Sequence, residues 1–357
     1  MSNGDRPSRP YSDTGTRFLV GAASFVVVVA GLRAAQPIVV PFLLSAFLAV
    51  VSVPLMRWLQ GRRVPTALAM VCTMLAAVGV FGLLAVVLGR SINQFADVAP
   101  AYQANLQELM DSTLGLLEGW GVPTAEWQSL DLLPLDGVFD VLGTALSALA
   151  SVASNAFLVL LTVTFILMEA AGFSGKLRAA FGTGATFGPL ERMTLQVQNY
   201  LVIKTAVSAV TGTVVGLWVA ALGLDFALLW GLVAFLLNFI PNLGSIIAAV
   251  PAVLLAIVQF GPGRAGVIAA GYLVVNIVFG SFVEPMLMGR RLGLSTLVVF
   301  ASLVFWGWVW GPVGMLFSVP LTMVVKIALE NSKDFRWVAV MLDANPAAAA
   351  ESAASGR

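Results

Sequence analysis

The feature that most constrains this chain is the spacing of its charges. Residues 226–263 hold no Asp, Glu, Lys or Arg in 38 positions, and residues 292–325 hold none in 34. Shorter charge-free runs cover 18–32, 34–56, 64–89, 141–168, 205–224 and 265–283. An apolar helix of roughly 20 residues crosses the hydrocarbon core of a bilayer, and a charge at its centre costs about 2.5–3.5 kcal/mol. The runs therefore predict an all-α polytopic membrane protein. Apolar residues make up 59% and charged residues 10% of the chain, against about 45–50% and 25% in soluble domains.

Composition also narrows the chemistry. The chain has no histidine and a single cysteine, Cys72. His-ligated metals, Ser-His-Asp triads and thiolate clusters are excluded. No cofactor, metal or enzymatic activity is expected. A net charge of +1 gives no footprint for nucleic acid.

Lys and Arg set the orientation. With the N-terminus in the cytoplasm, 16 of them fall inside, and only Arg33, Arg90 and Arg264 fall outside. This positive-inside bias places both termini in the cytoplasm. Residues 1–16 and 344–357 read as disordered tails, and the first shows no cleavable signal peptide. Residues 17–90 form N-terminal transmembrane helices, the first extending past Arg33 if that side chain snorkels. Residues 91–140 carry eight acids and no base and form an extracytoplasmic helical segment. Pro100 suits the first turn of its helix, and Val98, Tyr102, Leu106, Leu109 and Leu116 give one apolar stripe. That stripe fits a helix lying on the membrane or a neighbouring subunit, or a vestibule. Asp136 can cap the long helix that follows, within 141–203.

Residues 204–343 contain the two longest runs, and each is broken in its middle. The breaks are Ile240-Pro241-Asn242-Leu243-Gly244 and Trp310-Gly311-Pro312-Val313-Gly314. The arms before them reach about 22–24 Å as helix, short of the roughly 30 Å core. This favours two re-entrant helical hairpins over pairs of spans. The runs resemble each other, opening on Gly223-Leu224 and Gly293-Leu294 and closing on Val250-Pro251 and Val319-Pro320. On the charge assignment they enter from opposite sides, as an inverted repeat. Unpaired backbone at such a tip must face protein or a polar cavity. A substrate path is therefore expected along Asn238, Pro241, Asn242, Gly244, Gly311, Pro312 and Gly314.

A coupled carrier keeps an ionisable group inside the membrane. The candidates are Glu284, Glu169, Asp225 and Lys204. All sit at run edges, where an interfacial anchor is the plainer reading. Asn155, Asn276 and Gln259 lie inside runs and can bond between helices or line a path. Gly261-Pro262-Gly263-Arg264-Ala265-Gly266 fits a dinucleotide fingerprint formally, but follows no strand.

The order of motifs resembles the autoinducer-2 exporter family of bacterial inner-membrane proteins. The carrying residues are Gln36-Pro37-Ile38-Val39-Val40-Pro41-Phe42 with Pro54, Gln198-Asn199-Tyr200-Leu201 with Lys204, and Phe239–Gly244 with Pro251. The most specific stretch is 283–329. The likeness covers roughly 30–335, is weak in 91–140, and is absent from both tails. It implies export of a small, very polar, sugar-like quorum-sensing signal across the inner membrane. It also implies a homo-oligomer in the lipid bilayer, for which a pentamer is one form, with an elevator-like moving hairpin unit. Other relatives resemble sodium/proton antiporters, so that reading stays open. A membrane scaffold without transport is the reading from another class.

Overall fold

The computed structural model describes residues 13–119, 158–169, 188–241, 243–288, 294–330, 332 and 335–344. Every regular element among them is a helix. In chain order these are α1 (Asp13–Ala34), α2 (Gln36–Gly61), α3 (Thr66–Gly119), α4 (Leu158–Glu169), α5 (Gly188–Ala221), α6 (Ala227–Leu237), α7 (Gly244–Phe260), α8 (Pro262–Met288), α9 (Thr296–Glu330) and α10 (Arg336–Leu342). Within α8 the segment Ile277–Val283 is a π-helix. Asn155, Asp136, Asn242 and the tail beyond residue 344 lie outside the described residues.

Among the described residues, five helices are long and apolar enough to cross a membrane: Gln36–Gly61, Thr66–Phe95, Thr194–Ala221, Pro262–Met288 and Thr296–Glu330. The chain is a multi-pass membrane protein. Its N-terminal helices turn apolar side chains outward, with Leu75 and Leu83 each 64% exposed. Hydrocarbon or a second subunit can cover such a surface where water cannot. The guanidinium of Arg33 lies 5.0 Å from the Trp308 ring centroid, which gives this charge an aromatic face at the end of α1.

Helix α3 corrects the expectation of a separate helix opening at Pro100. Its 54 residues run unbroken from the span into the acidic region, and Pro100 lies inside it. A proline removes one backbone donor and bends a helix without having to end it. At 1.5 Å per residue α3 is about 80 Å long, so it projects far beyond a core of roughly 30 Å. Phe95 and Tyr102 on its distal half join the largest buried apolar cluster, with Val219, Leu229, Trp230 and Ile268 of α5, α6 and α8.

Both long runs are broken at the predicted places. The first becomes α6 and α7, of 11 and 17 residues, or about 16 and 26 Å of helix. The second, α9, loses helical geometry at Trp310 (φ −129°, ψ 17°) and Gly311 (φ 64°, ψ −147°). A left-handed φ suits glycine, which has no Cβ to clash. Pro312 then opens the second arm, where its missing N–H costs nothing.

Small residues let α5 and α6 approach closely. Gly212-Thr213-Val214-Val215-Gly216 on α5 is a small-xxx-small motif. A Cβ on Gly231 of α6 would lie 2.8 Å from the Gly212 carbonyl oxygen and 3.1 Å from the Gly216 Cα.

Candidate functional site: a polar seam inside the helical unit

Lys204, Ser208 and Thr211 recur at four and three residues on α5, so they share one face. All three are buried, at 3%, 0% and 4% exposure. Tyr272, Asn276 and Glu284 lie along α8. The two rows run antiparallel and meet as a polar seam through apolar surroundings.

At one end Lys204 Nζ donates to both carboxylate oxygens of Glu284, at 2.6 and 2.8 Å. Further along α5, Asn238 Nδ2 donates to Ser208 Oγ at 2.9 Å. Asn238 sits at the C-terminal end of α6, where the first break begins. Beyond it, Ser245 at the start of α7 donates to Asn276 Oδ1 at 2.7 Å. At the far end Thr211, Asn238, Ser245, Tyr272 and Asn276 line a cavity of about 10 Å³. The hydroxyls of Thr211 and Tyr272 are buried and have no hydrogen-bond partner among the described residues.

This arrangement changes the reading of the edge charges. Lys204 is buried and pairs with the half-buried Glu284, so neither is a lone charge at a run edge. Each compensates a charge whose isolation there would be costly. Asp225 is placed elsewhere and accepts from the Tyr102 hydroxyl of α3 at 2.5 Å. Gln259 clasps the same corner, accepting from the Asp225 backbone N–H at 3.1 Å and donating to the Gly223 carbonyl at 3.4 Å. Burial, and then the bond to Asp225, hold the Tyr102 phenol well above its ordinary pKa, so it stays a donor. Glu169 is exposed at the end of α4.

Of the expected path residues, Asn238 belongs to the seam and Gly244 is buried beside it at the start of α7. Pro241 is half-buried at the break. Gly311, Pro312 and Gly314 form the second break. Phe47 of α2 links the two regions. Its ring meets Phe239 at 5.5 Å and Phe317 at 5.5 Å, both edge-on. Phe47 thus makes an aromatic contact near each break, and the polar groups gather beside the first. Ser208, Thr211, Ser245 and Tyr272 escaped the sequence reading. Hydroxyls inside apolar runs add no charge and break no period. The spacings 204, 208, 211 and 272, 276 are the signal that points to them.

A multi-helix unit with two broken helices and an ion pair on a polar seam fits a membrane transporter in class. Sequence similarity agrees: residues 23–334 match the profile of the AI-2E family transporter, and the chain belongs to that family. It is 40% identical over 329 residues to the AI-2 transport protein TqsA of Escherichia coli K12, covering 92% of this chain and 96% of that one. It is 37% identical to a putative transport protein of Haemophilus influenzae over 91% of this chain and 96% of that one. A putative transport protein of Mycobacterium tuberculosis, MT0215, is 26% identical over 92% and 90% of the two chains.

Proposed function

We propose that this protein is a secondary carrier that exports a small polar signal of the autoinducer-2 kind across the bacterial inner membrane. The observation that carries this reading is the pair of buried Lys204 with half-buried Glu284, on a seam that continues into a polar cavity. Buried charge inside a membrane helix is expensive and marks a solute or ion path. The 40% identity to an AI-2 transport protein supports the substrate class.

In this reading α6 and α7, and the two arms of α9, are re-entrant hairpins of an inverted repeat. Two observations support it. Neither α6 nor α7 reaches the roughly 30 Å of the core. Gly244 and Gly314 also share a role: a Cβ on either would overlap a carbonyl of the arm before its break, that of Leu237 or Trp306. The moving unit is residues 204–343, and both termini face the cytoplasm. The apolar outer surface of α1–α3 suits a homo-oligomer.

Flux of labelled autoinducer-2 into proteoliposomes, with and without a proton gradient, tests the reading. Gradient-dependent flux that disappears in Glu284→Gln supports a coupled exporter. Sodium/proton exchange is the second reading, because ionisable groups inside membrane helices mark ion and proton paths. Absence of autoinducer-2 flux, with sodium-dependent proton movement lost in Glu284→Gln, would put that reading first.

A further inference from the structure

The cavity at the end of the seam has a lining chemistry that the carrier reading leaves unused. Its polar groups are three hydroxyls, of Thr211, Ser245 and Tyr272, and two amides, of Asn238 and Asn276. None carries a charge, and every one can both donate and accept. Thr211 and Tyr272 are 4% and 5% exposed, and their hydroxyls have no partner among the described residues. A buried, unpaired hydroxyl is destabilising until something bonds it. Two of them in one cavity point to a guest that supplies the missing bonds.

The cavity of about 10 Å³ holds one water-sized group. It shares Ser245, Tyr272 and Asn276 with a wider groove of about 380 Å³ between α7 and α8. The groove's other walls are apolar, including Ala249, Val253 and Ala269. A polar inner end and an apolar outer trough suit a small molecule that presents hydroxyls on one edge and carbon on the other. A carboxylate or ammonium would find no countercharge among the lining residues. The nearest ionic groups described on this seam, Lys204 and Glu284, already neutralise each other.

We infer that this cavity is a hydroxyl-recognition subsite: one hydroxyl of an uncharged, polyhydroxylated solute enters between Thr211 and Tyr272, and its carbon frame lies in the α7–α8 groove. The inference rests on the carrier reading and adds the place and polarity of the cargo site. It makes the site selective against charged analogues of the same size.

The test uses the purified protein in nanodiscs, titrated calorimetrically with ribose, erythritol, ribonate and sodium chloride. The variants are Thr211→Val and Tyr272→Phe, which remove only the unpaired hydroxyls. Ribose or erythritol should bind, and ribonate should not. Each variant should weaken binding about tenfold or more while melting at or above the wild-type temperature, since it relieves an unpaired group. Polyol binding unchanged in both variants would overturn the inference, as would no polyol binding in the wild type, whether or not sodium binds. The two readings fail separately. Autoinducer-2 flux in the wild type with unaltered polyol binding in the variants sinks the subsite alone. No flux, with polyol binding lost in the variants, sinks the carrier alone.

Discussion

The indole N–H of Trp306 donates to the hydroxyl of Thr322 across 3.1 Å, although 16 residues separate them. In a straight helix that separation is about 24 Å. The chain therefore doubles back at Gly311, and the two arms of α9 lie side by side. Trp310 fixes the bend from outside, its indole donating to the Leu32 carbonyl of α1 at 2.9 Å.

Close approach of the arms makes Gly314 intolerant of any side chain. A Cβ there would overlap the Trp306 carbonyl, and one on Gly244 would overlap that of Leu237. Backbone cannot yield as a flexible side-chain end can. Gly314→Ala and Gly244→Ala should each cost about 1–3 kcal/mol, and Gly314→Leu and Gly244→Leu should abolish flux while leaving membrane insertion intact. Thermal melting, flux and protease protection measured on the same preparations check this. Unchanged flux in both leucine variants would remove the breaks from the mechanism.

The Lys204–Glu284 pair makes a prediction in which two wrongs partly cancel. Lys204→Met leaves the half-buried Glu284 carboxylate without its partner, a loss of about 1.5–3 kcal/mol. Lys204→Met with Glu284→Met removes both charges and should recover most of that stability, since apolar replacements of buried pairs are often neutral. Transport should stay abolished in the double variant. Melting temperature and flux together separate a structural pair from a working one. Full flux in the double variant would make the pair structural.

Much of this architecture is legible in the sequence. Charge-free runs locate the apolar helices, and the Pro/Gly clusters at 241–244 and 311–314 locate both breaks. Lys204 and Glu284 stand out singly, as charges at the edges of apolar runs. Their pairing does not, because 80 residues separate them and only the packing of α5 on α8 joins them. The continuity of α3 is also hidden. Arg90 and Pro100 both look like boundaries, whereas a helix leaving the bilayer can carry either. The Phe47 contact between the two breaks depends on tertiary placement and has no local signal.

The contact between Tyr102 and Asp225 ties the projecting part of α3 to the corner before α6. Tyr102→Phe should loosen this tie by about 0.5–1.5 kcal/mol, since the acceptor Asp225 is exposed to solvent. Hydrogen exchange at residues 223–226 should speed up accordingly. The pH dependence has a definite sign. The folded pKa of Tyr102 lies above its unfolded value near 10. The contribution is therefore complete at neutral pH, persists to about pH 10, and fades as pH climbs through the folded value. A wild-type exchange rate that rises between pH 7 and 9, after correction for intrinsic exchange, would contradict this.

The π-helix in α8 accounts for the alignment of the seam. Twelve residues separate Tyr272 from Glu284. At 3.6 residues per turn they would leave Glu284 about 120° round from Tyr272. Both nevertheless face α5, one at the cavity with Thr211 and the other on Lys204. The seven residues Ile277–Val283 are wound more loosely, with i→i+5 bonds, and they absorb this offset. Deleting Gly280 removes one residue from that stretch. The remaining eleven steps, wound as ordinary α-helix, come within about 20° of three full turns. The Lys204–Glu284 pair should therefore survive the deletion. Inserting an alanine after Gly280 should break the pair, because a longer stretch must be underwound further to keep Glu284 in place. The ΔGly280 protein should melt within a few degrees of wild type, and the insertion should melt like Lys204→Met. If the deletion is the more damaging of the two, the π turn serves something other than register.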